Sequence, residues 1–200
     1  MKQYKFLDVG CKTGKSFKIS EKFGYASSQG IGIDINPDHV NSFIQAGNDG
    51  LVASAIDLPF LDNQFELVIF NHVLEHLPNE DQGFKSLQEC LRVSSKYLYL
   101  ALPFFDEDEY LNSLGFKTFY SDWTGHTNKV HFNTITKKYI TNFKFKTTFI
   151  KPIIDSSAAE ILPLSAPTDS FEYNEKIHGF KNIVKFQKNI WREYSILISK

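Results

Sequence analysis

Five short apolar runs, separated by polar or amphipathic stretches, occupy the first hundred residues and constrain the fold most strongly. They lie at 4–9, 30–34, 51–55, 65–70 and 96–102. Each is apolar at nearly every position, which is typical of strands buried on both faces of a sheet. Helical patterns at 36–47 and 79–93 separate some of these runs. The alternation predicts an α/β fold in which crossover helices join parallel strands.

The second half of the chain is less regular but continues the same domain. A helix is predicted at 134–143, a strand at 144–153 and a last strand at 190–199. Two longer excursions, 103–133 and 153–189, mix acidic, aromatic and turn residues without a clear period. Long irregular segments of this kind often form lids or binding loops. We therefore expect one domain over residues 1–200, with the two excursions forming an acceptor pocket or a lid.

The loop "LDVGCKTGKS" after the first strand resembles a phosphate loop only at its end. A phosphate loop has the spacing GxxxxGK[ST], but Val9 stands where its first glycine belongs, and Gly10 is one residue too close. The dinucleotide pattern GxGxxG also fails, because Lys12 occupies its middle glycine position. A nucleotide-dependent enzyme of another class would explain only the letters "TGKS".

Charge and cysteine content limit the possible partners. The net charge is −1 for 200 residues, so the chain lacks the general positive field that attracts a phosphate backbone, and nucleic acid is an unlikely partner. Cys11 and Cys90 are far apart and show no disulfide or zinc spacing, which favours a reducing cytoplasm. No apolar run is long enough to span a bilayer, so no membrane association is expected.

Three stretches resemble successive motifs of the class I S-adenosylmethionine-dependent methyltransferases, above all their small-molecule type 11 branch. They are "LDVGCKTG" (7–14), "GIGIDINPD" (30–38) and "SAIDLPFLDNQFELVIFNHVLEHL" (54–77). The resemblance implies a Rossmann-like, doubly wound and mostly parallel sheet with helices on both faces. It also implies seven strands in the order 3-2-1-4-5-7-6, of which the last strand is antiparallel.

The resemblance further implies that the cofactor is S-adenosyl-L-methionine. In the family, the residue matching Asp34 holds both ribose hydroxyls, the one matching Asp57 meets the adenine amino group, and the one matching Asp8 orients the glycine loop. Lys12 departs from the family, which usually has glycine there, and must point to solvent or reach the methionine carboxylate. The residues implied to bind the cofactor are Asp8, Gly10, Cys11, Gly14, Asp34, Ile35, Asp57, Leu58 and Asn71.

Histidines supply the candidate catalytic groups. His72 and His76 are four residues apart, which would place them on one helical face, but no third ligand is indicated and "HVLEH" does not match the zinc motif HExxH. No metal site is therefore predicted. A histidine can take the proton of a hydroxyl acceptor, and His72, then His126 or His131, are the predicted bases. Trp123 and Tyr120 are candidates for stacking on a planar acceptor or for core packing.

The expected function is methyl transfer to a small-molecule or sugar-precursor acceptor, at oxygen. A catalytically degenerate scaffold or binding protein with the same fold is the alternative. Because the chain begins almost at its first strand, the roof over the acceptor is expected from the two excursions, an oligomer or partner subunit, or another domain.

Overall fold

Five parallel strands form the first part of the central sheet in the computed structural model, which describes residues 3–168 and 172–200. Strand β1 (Phe6–Val9) lies between β2 (Gly30–Asp34) and β4 (Phe65–Asn71). Strand β3 (Gly50–Val52) lies beyond β2, and β5 (Ser94–Pro103) lies beyond β4. All four pairings are parallel.

Two long strands complete the sheet. The C-terminal strand β9 (Lys185–Ser199) pairs antiparallel with β5 on one side and with β7 (Lys144–Asp155) on the other. The seven-stranded order is β3-β2-β1-β4-β5-β9-β7. This confirms the predicted order, since β9 and β7 are the predicted strands seven and six. The labels differ because β6 (Phe116–Thr118) and β8 (Ile161–Pro163) form a separate two-stranded sheet.

Helices connect the strands, and the two longest α-helices begin at asparagine caps. Asn36 Oδ1 accepts a hydrogen bond from Asp38 N at 2.9 Å, and Asn79 Oδ1 accepts one from Gln82 N at 3.0 Å. Each bond satisfies a backbone donor that has no partner within the helix. The α-helices are α1 (Pro37–Gln45), α2 (Glu80–Val93), α3 (Asp108–Ser113), α4 (Phe132–Thr134) and α5 (Glu175–His178).

Other connections depart from regular α-helix. The segment after the glycine loop is a 3₁₀ helix, Lys15–Phe23, and short 3₁₀ turns lie at Ser27–Gln29 and Leu74–His76. The predicted helix at 134–143 is replaced by the end of α4 and a π-helical turn, Ile135–Tyr139. Among the described residues, none of these helices is long and apolar enough to cross a bilayer.

Alternate side chains of β1 and β4 enter cores on opposite faces of the sheet. Leu7 and Val68 belong to one buried cluster, whereas Phe6 and Leu67 belong to another, with Phe17 packed edge-on against Phe6. Because successive strand residues point to opposite faces, this pattern requires cover on both sides. The expectation of strands buried on both faces is confirmed.

The two excursions pack against each other. Leu111 and Phe116 of the first excursion share a buried cluster with Ile153, Ile161 and Phe186. The β6–β8 pairing joins the same two segments. Strands β7 and β9 extend to Asp155 and back to Lys185, so the second excursion is shorter than predicted. Within the predicted domain of 1–200, residues 1–2 and 169–171 lie outside the described residues.

Candidate functional site

A cavity of about 580 Å³ opens at the carboxyl ends of the parallel strands. It lies beside β1, where the order of the strands reverses. Strands β2 and β3 lie on one side of β1, and β4 and β5 lie on the other side. Open α/β sheets bind ligands at this position, because the loops on either side of the switch point separate there. The loops after β1, β2, β3 and β4 all contribute to its wall.

The loop after β1 turns tightly and stays close to β2. The backbone N–H groups of Gly10 and Cys11 both donate to Ile33 O at 2.8 Å, and Gly14 N donates to Cys11 O at 2.7 Å. Gly10 has a φ of 77°, and a Cβ there would lie 2.4 Å from Cγ2 of Val73. A side chain is excluded at Gly10 both by its left-handed backbone and by the close approach of Val73.

Lys12 occupies a left-handed backbone position, with a φ of 42°. Its side chain is exposed, while its backbone N–H donates to Asp34 Oδ2 at 3.1 Å. Few residues other than glycine adopt this conformation readily. Lys12 therefore adopts the backbone conformation that glycine would have at this position, and it lies at the rim of the cavity.

Asp34 ends β2 and joins the loops around the cavity. Its Oδ1 accepts from Asn36 N at 2.9 Å, and its Oδ2 accepts from Lys12 N and lies 3.2 Å from His39 Nδ1. The Asp34 side chain is only 11% exposed, yet it forms part of the cavity wall. A carboxylate offers about four acceptor positions, so this one retains capacity for a ligand hydroxyl.

The cavity wall includes some of the predicted cofactor residues and not others. Gly10, Cys11, Asp34, Ile35 and Asn71 line it. Among the residues that the structure describes, Asp8, Gly14, Asp57 and Leu58 do not line the cavity.

Asp8 is buried behind the loop. Its Oδ2 accepts a hydrogen bond from Ser16 Oγ at 2.6 Å, and Ser16 in turn lines the cavity. Its Oδ1 is buried and has no hydrogen-bond partner among the described residues. Burial raises the pKa of Asp8 to about 7. Asp8 is thus linked to the cavity wall through Ser16, and its loop-orienting role stays a prediction.

Leu58 and Asp57 lie beside the cavity. The Leu58 side chain is buried in the hydrophobic core and its backbone N–H donates to Glu89 Oε2 at 2.8 Å. Its contact with the cofactor stays a prediction. Asp57 is exposed and forms an isolated bridge with Ser54, which does line the cavity. Adenine recognition at Asp57 stays a prediction.

His72 differs most from its expected role. It has a φ of 54°, and only Leu74–His76 forms a helical turn, so His72 and His76 do not share a helical face. Its Nδ1 lies 3.0 Å from Glu75 Oε1, and its Nε2 lies 3.0 Å from Glu193 Oε2. Burial opposes the charge, but the hydrogen bonds to Glu193 and Glu75 outweigh it and raise the pKa of His72 to about 9. An imidazolium held by two carboxylates is a poor proton acceptor near neutral pH, and the role of His72 as a base stays a prediction.

His126 and His131 are placed differently from each other. His126 Nδ1 lies 2.8 Å from Tyr120 O, and burial lowers the pKa of His126, so this neutral ring donates at Nδ1 and keeps a lone pair on Nε2. His131 is 52% exposed and lies 3.9 Å from Asp106 Oδ1. The described lining of the cavity includes neither residue, but His126 packs against His76, which does line it, with ring centroids 5.0 Å apart.

Around His72 and His76 lie residues to which the sequence assigned no catalytic role. Trp123 lines the wall and meets His76 edge-on at 5.7 Å between centroids. Glu193, from β9, holds His72 although 121 positions separate them. Tyr120 is buried and donates to Trp191 O at 3.0 Å, so it is a packing residue and not a stacking platform. No local pattern marks Glu193, because its role depends on the pairing of β9 with β5.

The cavity fits an adenosine-containing cofactor. Its volume lies within the range of about 300–1,000 Å³ that is usual for small-molecule sites. Asp34 supplies an incompletely used carboxylate at one side, and Gly10 and Cys11 of the glycine loop line the wall beside it. Apolar side chains, among them Ile33, Ile35 and Ala55, line the remaining wall.

The fold of the chain is shared with methyltransferases of known structure. The structure aligns with that of an S-adenosylmethionine-dependent methyltransferase from Archaeoglobus fulgidus with a TM-score of 0.65, at 22% identity, over 98% of this chain and 86% of that one. The fold is that of the class I methyltransferases.

The sequence is similar to one branch of these methyltransferases. Residues 7–99 match the family model described as a methyltransferase domain, of type 11. The match covers a little under half of the chain, and it supports S-adenosyl-L-methionine as the cofactor.

Two curated relatives each match a little under half of the chain. The tRNA (carboxymethyluridine(34)-5-O)-methyltransferase of Arabidopsis thaliana is 31% identical over 44% of this chain and 20% of its own length. The ajmaline N-methyltransferase of Rauvolfia serpentina is 33% identical over 44% of this chain and 32% of its own length. The chain thus spans about a fifth of the length of the first relative and about a third of the length of the second. Their names include both oxygen and nitrogen acceptors.

Proposed function

We propose that the protein transfers the methyl group of S-adenosyl-L-methionine to the oxygen of a small-molecule or sugar-type acceptor. One observation carries this proposal. The cavity that holds the glycine loop and Asp34 at one end continues without interruption to His76 and Trp123 at the other. A cofactor and an acceptor bound at these two ends would share one cavity.

The cofactor end is assigned to the residues that line it. Asp34 accepts hydrogen bonds from the ribose hydroxyls, the loop at Gly10 and Cys11 passes close to the ligand, and Ile35 and Asn71 complete the wall. When bound, the cofactor supplies a methyl group already activated on a sulfonium. The protein therefore has to align the acceptor, exclude water and accommodate one proton.

The acceptor end is assigned to the segment that follows β4 and to the first excursion. Trp123 offers an aromatic ring of the kind that packs on the C–H face of sugars or stacks on planar acceptors, and His76 adds a polar group beside it. The net charge of −1 supports a small acceptor over a nucleic acid. The expectations of a second subunit and of a cytoplasmic location stay predictions.

Methyl transfer can be measured with methyl-labelled S-adenosyl-L-methionine and a panel of hydroxyl acceptors, amine acceptors and transfer RNA. We expect label in ether products of small hydroxyl acceptors. Asp34→Asn is expected to raise the KM for the cofactor at least tenfold, because hydrogen bonds to a charged acceptor contribute about 1.5–3 kcal/mol each. Asp38→Asn, an exposed change four residues away, is the matched control.

Three results would overturn parts of the proposal. Label found only in amines or only in transfer RNA would contradict the acceptor class. Cofactor binding with no transfer to any acceptor would favour the catalytically degenerate scaffold. Equal KM values for wild type and Asp34→Asn would contradict the assignment of the cofactor end.

A further inference from the structure

Three potential metal ligands meet beside the acceptor end of the cavity. They are Glu75, His76 and His126, and one ligating atom from each lies within 4.8 Å of those of the other two. His76 and Glu75 follow β4, whereas His126 comes from the first excursion, fifty positions later. This folding supplies the third ligand that the spacing of the histidines in the sequence does not reveal.

Both histidines are oriented through their Nδ1 atoms. His76 Nδ1 lies 2.7 Å from Gly125 O, and His126 Nδ1 lies 2.8 Å from Tyr120 O. A carbonyl can only accept, so each ring donates its Nδ1–H and carries its lone pair on Nε2. Among the described residues, neither Nε2 atom has a hydrogen-bond partner. Metal-binding histidines are commonly fixed in this way, by a backbone carbonyl on the nitrogen that does not bind the metal.

Glu75 points to a ligand independently of the histidines. Its side chain is only 1% exposed, and its Oε1 is held by His72 Nδ1. Its Oε2 is buried and has no hydrogen-bond partner among the described residues. Leaving such an atom unsatisfied costs about 1–3 kcal/mol, and more for a charged group. A bound cation would remove this cost.

Simple ring packing accounts for only part of the cluster. His126 lies between His76 and Phe105, with centroids 5.0 and 5.8 Å away, and Trp123 meets it edge-on. These contacts explain why the imidazoles pack closely. They do not explain the unsatisfied Oε2 of Glu75.

We propose that Glu75, His76 and His126 bind one divalent transition-metal ion, with Zn²⁺ as the best match. Two imidazoles and one carboxylate form a donor set that zinc uses in catalytic sites, whereas Mg²⁺ prefers oxygen ligands alone. Ligands about 2.0–2.2 Å from one ion lie roughly 3–4 Å apart, so a small inward movement of the three side chains closes the site. Three protein ligands leave a coordination position open.

The open position gives the metal a role that rests on the proposed function. Because His76 lines the cavity, a metal on its Nε2 would lie at the acceptor end. A hydroxyl bound to a divalent ion loses its proton more readily than a free hydroxyl. His126 would then act as a metal ligand and not as the predicted base, and His72 would be a positioning residue that holds Glu75.

The test is metal binding by the whole chain after treatment with a chelator and its removal. Zn²⁺ is titrated in competition with a chromogenic chelator, and Co²⁺ is titrated while its visible absorption is recorded. We expect one equivalent of each ion and a Co²⁺ spectrum of four or five ligands. His126→Ala is expected to weaken Zn²⁺ binding at least a hundredfold, and Glu75→Gln at least tenfold. His131→Ala is the matched control and is expected to bind Zn²⁺ like wild type.

Circular dichroism identifies any variant that does not fold, and if Glu75→Gln fails this check, His126→Ala alone decides the outcome. The proposal is wrong if wild type binds no stoichiometric Zn²⁺, or if His131→Ala weakens binding as much as His126→Ala. A parallel titration of the metal-free protein with S-adenosylhomocysteine tests the proposed function separately. Cofactor binding without metal binding would reject the metal site alone.

Discussion

The two ends of the cavity are built in different ways. At the cofactor end, Gly10, Cys11 and Asp34 lie within twenty-five residues of one another and are joined largely by backbone hydrogen bonds. At the acceptor end, side chains from distant segments meet, as when His72 contacts Glu193 across 121 positions. One end therefore depends on local turn geometry and the other on the correct packing of β9 and the first excursion. We therefore expect substitutions at the acceptor end to change the free energy of unfolding with little change in cofactor affinity.

The largest expected effect is a pH dependence at the cofactor end. The pKa of buried Asp8 is raised from 3.8 to about 7, so the folded state retains a proton that the unfolded state has lost. The contribution of Asp8 to stability is fully present below about pH 4 and is lost as the pH rises to about 7. The total is on the order of 4 kcal/mol. Urea unfolding between pH 4 and 8 measures it.

Asp8→Asn removes the titrating group while keeping an oxygen for Ser16. We expect the free energy of unfolding of wild type to fall relative to this variant across the same pH range. Asp38→Asn, at an exposed position, should keep the wild-type slope. An unchanged slope in Asp8→Asn would show that Asp8 is ionised throughout and that the loop tolerates a buried charge.

A second prediction concerns the shape of the glycine loop. Gly10→Ala places a Cβ 2.4 Å from the Val73 side chain in a left-handed backbone, and we expect a loss of about 2–4 kcal/mol. Gly47 has a φ of 88°, but nothing lies within 4 Å of the position that a Cβ would take there, so Gly47→Ala should lose only about 1 kcal/mol. Equal losses in urea unfolding would mean that backbone strain alone explains both variants.

The smallest of these effects tests the acceptor end. Glu193→Gln removes one charged partner of His72, and we expect a loss of about 1 kcal/mol with little change in cofactor affinity. Glu107→Gln, in the more exposed pair with Lys188, should cost less than about 0.5 kcal/mol. A large loss of cofactor affinity in Glu193→Gln would break the distinction between the two ends.

The sequence predicted most of the cofactor end, because that end is encoded in short stretches. The spacing from Gly10 to Asp34 is local, and apolar runs with capping residues located β1, β2 and α1 within a few residues. The strand order followed from the family resemblance. The cofactor contacts of Asp57 and Leu58 stay predictions, because a motif gives a position along the chain but not which way a side chain faces.

The acceptor end was predicted poorly because its contacts are long-range. Nothing near His72 in the sequence indicates that Glu193 will lie beside it and hold its charge. The grouping of Glu75 and His76 with His126 depends on how the first excursion folds back, which its irregular pattern does not encode. Similarly, the β6–β8 sheet joins two segments whose sequences show no clear period.

Calorimetric titration with S-adenosylhomocysteine tests the central claim, that this cavity binds the cofactor through Asp34, most directly. We predict one binding site in wild type, at least tenfold weaker binding in Asp34→Asn, and wild-type affinity in Asp38→Asn. Failure of the wild-type protein to bind, or equal affinity in wild type and Asp34→Asn, would contradict the claim.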